Sequence, residues 1–126
     1  MLEKDIEKQI LEFLEAVGWL AWKNPTVGVW DAKKQSYRMP KSRFQIRGVS
    51  DIIAIREGKV MFLEVKTAKG RQTKHQKMFQ KRIEENGGHY FVVRSVDDTR
   101  EAIHITQHSN GETSARKRRK EIVRIT

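Results

Sequence analysis

Residues 48–66 read GVSDIIAIREGKVMFLEVK, and they decide the fold. Asp51–Arg56 and Lys59–Lys66 are two runs of strand-forming residues around Glu57-Gly58, the pattern of a β-hairpin closed by a tight turn. A loop of Glu57-Gly58, or of the symmetric Arg56–Lys59, makes paired positions sum to 115. Asp51 then lies directly across from Glu64. Opposed residues share a face, with Cβ atoms about 4.5–5.5 Å apart. Strand alternation brings Lys66 to that face too, while Leu63 and Val65 point the other way.

Downstream, Gly70 breaks the chain and Thr73 caps a helix predicted over 74–86, with Met78, Phe79 and Ile83 as its inner stripe and Gly87-Gly88 as its end. His89–Arg94 reads as a strand, and Ser95 caps a further helix to about Gln107. Upstream, Leu2, Ile6, Ile10, Phe13, Leu14 and Val17 recur at helical spacing until Gly18, and Trp19–Lys23 reads as a short strand. Residues 24–47 keep no sustained period and read as a long loop or a loose hairpin. The order is helix, three strands, helix, strand, helix. The passage through 59–94 is a right-handed parallel crossover, so the fold is α/β: a mixed sheet flanked by helices. The boundaries are a single domain over 1–108 and a basic C-terminal tail over 109–126, where Ile122, Val123 and Ile125 allow a small strand.

Composition narrows the chemistry. The chain has 126 residues and no cysteine, which excludes a disulfide framework, a thiolate zinc site and a cysteine nucleophile. Its longest apolar runs are four residues, Ile52–Ile55 and Val60–Leu63 among them, far below the roughly 18 residues of a membrane span. Twenty-six Lys and Arg against sixteen Asp and Glu give a net charge of +10, which favours polyanions and nucleic acid first among them. The bases are zoned. Residues 31–47 carry +5, residues 66–82 carry seven bases and no acid, and residues 116–120 are five bases in a row, whereas residues 1–15 carry −3.

Inside that basic field the opposed Asp51 and Glu64 repel each other, and one of them holds a proton near neutral pH unless something neutralises it. A divalent cation such as Mg²⁺ or Mn²⁺ supplies that charge, since it takes hard oxygen ligands. It would also activate water and stabilise charge on a phosphodiester, with Lys66 beside it to hold the attacking water or the pentavalent phosphate. The bland alternative is a solvated charged face with a weak cross-pair.

Gly48-Val49-Ser50-Asp51-Ile52-Ile53, Glu64-Val65-Lys66, Gly70-Arg71-Gln72-Thr73 leading to Gln76, Gly87-Gly88 and Val92-Val93-Arg94-Ser95 occur in that order, and together they resemble the VRR-NUC family of the PD-(D/E)XK nuclease superfamily. The resemblance covers about residues 3–104. It implies a restriction-endonuclease-like core (helix, three strands, helix, strand) and metal-dependent phosphodiester hydrolysis. It implies Asp51 and Glu64 as metal ligands with the Val65 carbonyl as a third, Glu7 of the first helix as a further acid, Lys66 as the catalytic lysine and Gln76 as the active-site glutamine. Ser50 stands where the superfamily's name has proline, and Phe79 where tryptophan is common.

The activity so implied is a Mg²⁺- or Mn²⁺-dependent endodeoxyribonuclease on branched DNA, of the Holliday-junction-resolving or another structure-selective type. It would serve replication, recombination or repair in the cytoplasm of a bacterial or phage-infected cell. One short active face per chain implies a homodimer for symmetric incision. A monomeric nicking or flap nuclease and a catalytically silent nucleic-acid-binding module on the same fold are the rivals, and RNA is a further substrate class that charge does not separate from DNA. The candidate DNA-binding bases are Arg43, Arg47, Lys69, Arg71, Lys74 and Lys77, with Arg116, Lys117 and Arg118 of the tail, whose five-base run also suits a nuclear localisation signal.

Other features read more simply. His104 and His108 have the spacing of two zinc ligands but no third, and His75 reads as a surface histidine. Trp19 and Trp22 fall on opposite faces of their strand, so at most one of them is exposed there, and core packing is preferred. Trp30, in the basic 24–47 stretch with Tyr37, is the better candidate for contacting bases or a partner subunit.

Overall fold

The computed structural model describes residues 1–24, 29–38, 46 and 48–109. The chain runs α1 (Glu3–Ala16), β1 (Leu20–Lys23), β2 (Val29–Asp31), β3 (Ser36–Arg38), β4 (Ile52–Arg56), β5 (Lys59–Val65), α2 (Lys74–Glu85), β6 (His89–Val93) and α3 (Val96–His108). One sheet has the order β1-β4-β5-β6, antiparallel except for the parallel β5–β6 pair. This is the mixed α/β architecture expected from the sequence. Among the described residues no helix is long and apolar enough to cross a membrane.

The β4–β5 hairpin sets the register of everything else. Glu57 (φ 50°) and Gly58 (φ 79°) both take the left-handed conformation, as a two-residue turn of the tight hairpin class requires. Ile52 pairs with Leu63 and Arg56 with Lys59, so the paired positions sum to 115 as expected. Ile52, Ala54, Met61, Leu63 and Val65 are fully buried on one face, against Ile6, Ile10 and Leu14 of α1 and Ala102 of α3. Burial of such side chains stabilises the fold by about 1.5–3 kcal/mol each.

Helix α2 covers part of the other face. Its Phe79 packs edge-on against Phe62 of β5 (5.8 Å) and Tyr90 of β6 (6.0 Å). Met78, expected in that inner stripe, is 54% exposed. The face that α2 presents to the sheet is Gln76, Phe79, Gln80 and Ile83 at helical spacing, and position 78 lies about 100° round from 79.

Residues 24–47 contain more order than a loop. β2 and β3 form a separate two-stranded sheet, Val29 pairing with Arg38 and Asp31 with Ser36. Residues 25–28, 39–45 and 47 of that stretch, Arg43 and Arg47 among them, lie outside the described residues, as do the tail bases Arg116, Lys117 and Arg118, the 122–125 segment, and the side chains of Trp30 and Tyr37.

Candidate active site

The site forms where β4 begins and β5 ends. Beyond the last ladder pair, Asp51 turns its carboxylate across the hairpin, and Oδ2 accepts from the Val65 backbone N–H at 2.8 Å. In an extended strand a residue's N–H and C=O project the same way, so the Val65 carbonyl is directed toward the Asp51 strand as well. Lys66 N–H points oppositely and donates to Val93 O at 3.0 Å.

Glu64 is the centre. Its side chain is 1% exposed, and Lys66, itself 9% exposed, places Nζ 3.7 Å from Oε1. The same Oε1 accepts from Gln76 Nε2 at 2.8 Å. The other oxygen, Oε2, is buried and receives no donor while both carboxyls are ionised, whereas a protonated Glu64 hydrogen-bonds Asp51. Burial, then the neighbouring Asp51 carboxylate, push the Glu64 carboxyl up from 4.5 to about 8, against the opposing pull of Lys66. A carboxyl with one unsatisfied buried oxygen and a like charge beside it lacks positive charge at that oxygen.

Gln76 is fixed by the start of α2. Thr73 caps the helix, its hydroxyl accepting from Gln76 N at 3.2 Å, while Gln76 Oε1 accepts from Thr73 N at 2.8 Å. With its amide oxygen committed to the cap, the side chain has its NH₂ to offer to Glu64. The helix itself is held against the approach to β4 by Gly48 (φ 77°), where an added Cβ would stand 2.4 Å from the His75 carbonyl carbon. Two further residues shape the surroundings. Arg94 Nη1 donates to Thr67 O (2.5 Å) and Gly70 O (2.7 Å), pinning the loop between β5 and α2. Gln72 Nε2 bonds both Gln80 Oε1 (2.9 Å) and the Tyr90 hydroxyl (3.2 Å), and burial raises the proton affinity of that phenol.

The structure therefore brings Asp51, Glu64, Val65, Lys66 and Gln76 together. Glu7 does turn inward, at 9% exposure, but its partner is Lys23, Nζ to Oε1 3.1 Å. Among the described residues no three Asp, Glu, His or Cys side chains form a group able to hold an ion, so the carboxylates of the site are a pair. Lys69, Arg71, Lys74 and Lys77 are all exposed, between the end of β5 and the first turns of α2. The His104 and His108 rings lie tilted at 33° to each other with centroids 4.1 Å apart, and His108 Nδ1 lies 2.8 Å from the His104 carbonyl oxygen. Sequence reasoning missed the second role of Gln76, although Thr73-x-x-Gln76 is itself a legible capping box. It had no means of finding the Arg94 and Gln72 contacts, which depend on how loops fold back.

No protein-family model matches the chain, and no curated protein matches it. A solved structure described as a VRR_NUC domain does: its TM-score is 0.56 over 84% of this chain and 95% of that one, at 22% identity. The chain has the fold of that domain.

Proposed function

We propose that this chain is a divalent-cation-dependent nuclease that hydrolyses phosphodiester bonds in DNA. The observation that carries the reading is Glu64: buried, driven toward the neutral form first by that burial and then by Asp51, and with no donor to Oε2 while it is ionised. Two hard oxygen donors short of positive charge fit Mg²⁺ or Mn²⁺, and Asp51, Glu64 and the Val65 carbonyl would hold it. Glu7, whose Oε1 is engaged by Lys23, would be a further acid of that set. Such an ion supplies charge neutralisation at the scissile phosphate and acidifies a water.

The chain's own residues do the rest. Gln76 holds the Glu64 carboxylate by one oxygen and leaves the other toward the site. Lys66 offers a buried ammonium to orient the attacking water and to stabilise charge growing on the pentavalent phosphate. The exposed bases Lys69, Arg71, Lys74 and Lys77, within a chain of net charge +10, would draw in the phosphate backbone. Likeness to the VRR_NUC domain fold supports the nuclease class, and DNA with branches is the proposed substrate. One catalytic face per chain supports a homodimer wherever two strands are cut symmetrically.

The test uses the full chain with labelled four-way junctions, flaps and linear duplex, in Mg²⁺, Mn²⁺ or EDTA, beside Asp51→Ala. The expected result is cleavage that needs the cation and Asp51. Cleavage indifferent to EDTA, or no cleavage of any substrate, overturns the reading. Tight binding without cleavage would point instead to a silent binding module.

A further inference from the structure

We propose that Trp22 is a stacking platform for an unpaired nucleobase next to the scissile phosphate, and so determines which DNA structures are cut. The inference rests on the nuclease reading for the identity of the neighbouring site, but its geometry stands on β1. That strand is the edge of the sheet, and Trp22 pairs with Ile53. The pairing continues beyond the strand, since Asn24 N donates to Asp51 O at 2.7 Å. Trp22 is therefore the diagonal neighbour of Asp51 on one face, a relation that places the two residues about 7–8 Å apart with Cβ atoms somewhat closer, within reach of an aromatic side chain.

This is the face that carries Glu64, because Ile53 pairs with Phe62 and alternation carries that side on to position 64. Helix α2 packs its Phe79 over Phe62 and Tyr90, toward the β6 edge. At the β1 edge Trp22 remains 44% exposed and Leu20 66% exposed. Trp19, on the opposite face, is only 4% exposed. The core thus uses one indole of this segment, and packing does not account for the other.

Charge chooses the occupant. Nucleic acid brings phosphates to the exposed Lys69, Arg71, Lys74 and Lys77 and a π-face to the indole, and so complements both the charge and the ring. A base inside a duplex is already stacked on its neighbours. Trp22 consequently favours DNA whose base beside the cut is unpaired, at a flap, a branch point or a single-stranded arm.

The experiment places 2-aminopurine at the first unpaired position of a flap and measures its fluorescence in cation-free buffer, where binding is read without cleavage. Wild type is compared with Trp22→Ala and Trp22→Phe, and cleavage of flap and nicked duplex is then measured with Mn²⁺. The expected result is quenching by wild type and in part by Trp22→Phe, lost in Trp22→Ala. Flap binding by Trp22→Ala should weaken roughly tenfold or more while duplex binding changes little. Unchanged quenching and an unchanged flap-to-duplex ratio in Trp22→Ala overturn the proposal. So does a wild-type dimer in sedimentation that Trp22→Ala converts to monomer, which would make the patch an interface between copies. Wild type that quenches the probe but cuts nothing overturns the nuclease reading and upholds the stacking.

Discussion

Gln76 and Glu64 are joined by a 2.8 Å hydrogen bond that ties the first turn of α2 to the end of β5. Its polarity is set away from the site. The Gln76 amide oxygen receives the Thr73 N–H, so the amide nitrogen is the atom that faces the carboxylate. A helix cap, a local device of stability, thereby orients a group at the candidate centre.

That double role can be separated by substitution. Gln76→Ala removes half of the capping box together with the donor to Glu64, and should cost about 1 kcal/mol of stability as well as activity. Gln76→Glu keeps a side chain that caps but sets a carboxylate against Glu64. We expect Gln76→Glu to keep the α2 cap and lose cleavage at least as severely as Gln76→Ala. Thermal unfolding and cleavage assays on both variants check this, and full activity in Gln76→Glu would remove Gln76 from the site.

The raised proton affinity of Glu64 makes a statement about stability. Its carboxyl titrates near 4.5 when unfolded and near 8 when folded, so between those values the folded state holds more protons. The cation-free protein is therefore most favoured below about pH 4.5 as far as this group is concerned, and loses stability as pH rises toward 8, by an amount on the order of a few kcal/mol. Mg²⁺ or Mn²⁺ should restore that loss, raising the melting temperature more at pH 8 than at pH 6. Glu64→Gln should flatten both dependences. A cation-free melting temperature that climbs steadily from pH 5 to 8 in wild type, but not in Glu64→Gln, would contradict the assignment.

The hairpin was legible because its turn leaves little freedom. A two-residue loop with Gly58 at a positive φ fixes the pairing sum, and the sum places Asp51 against Glu64 before any coordinates are known. Thr73 and Ser95 were legible as caps for a similar reason, since a hydroxyl before a periodic stretch has a local job. The β2–β3 pair was only half-seen. Its strands are three residues each, too short to show a period, and the left-handed residue beside its turn is Gln35 (φ 48°) instead of a glycine. The Lys23 partner of Glu7 was also out of reach, because helix spacing says which way a side chain points but not which cation waits there. That Trp22 and not Trp19 is the exposed member of the pair was out of reach as well, because alternation sets the two on opposite faces without saying which face the core takes.

Gly48 gives a prediction from shape alone. A methyl group there would meet the His75 carbonyl at 2.4 Å and the Gln76 nitrogen at 2.6 Å, all backbone atoms, with φ already at 77°. Neither neighbour can rotate away, so α2 has to shift and carry Gln76 off Glu64. Gly48→Ala should destabilise by at least about 2 kcal/mol and depress cleavage further than the loss of folded protein explains. Gly58→Ala, with open space around it, keeps only the penalty of its positive φ and serves as the control. Equal effects of the two substitutions on melting temperature would refute the steric account.

Lys66 presents two roles that ordinary mutagenesis would merge. Its ammonium, 3.7 Å from Glu64, lowers the proton affinity of that carboxyl, and it is also the group proposed to serve the water and the phosphate. In Lys66→Met the first role fails, so protons compete harder for Glu64, while the repulsion between the ammonium and a bound cation is lost as well. Raising the pH to 9 weakens the proton competition, and calorimetric titration should then show Mn²⁺ binding rise to at least the wild-type value. Cleavage should not return with it, because no rise in pH replaces the missing positive charge at the reacting phosphate. If cleavage did recover in step with binding at pH 9, Lys66 would be a positioning residue acting through Glu64, and the attack on phosphorus would have to be served by another group.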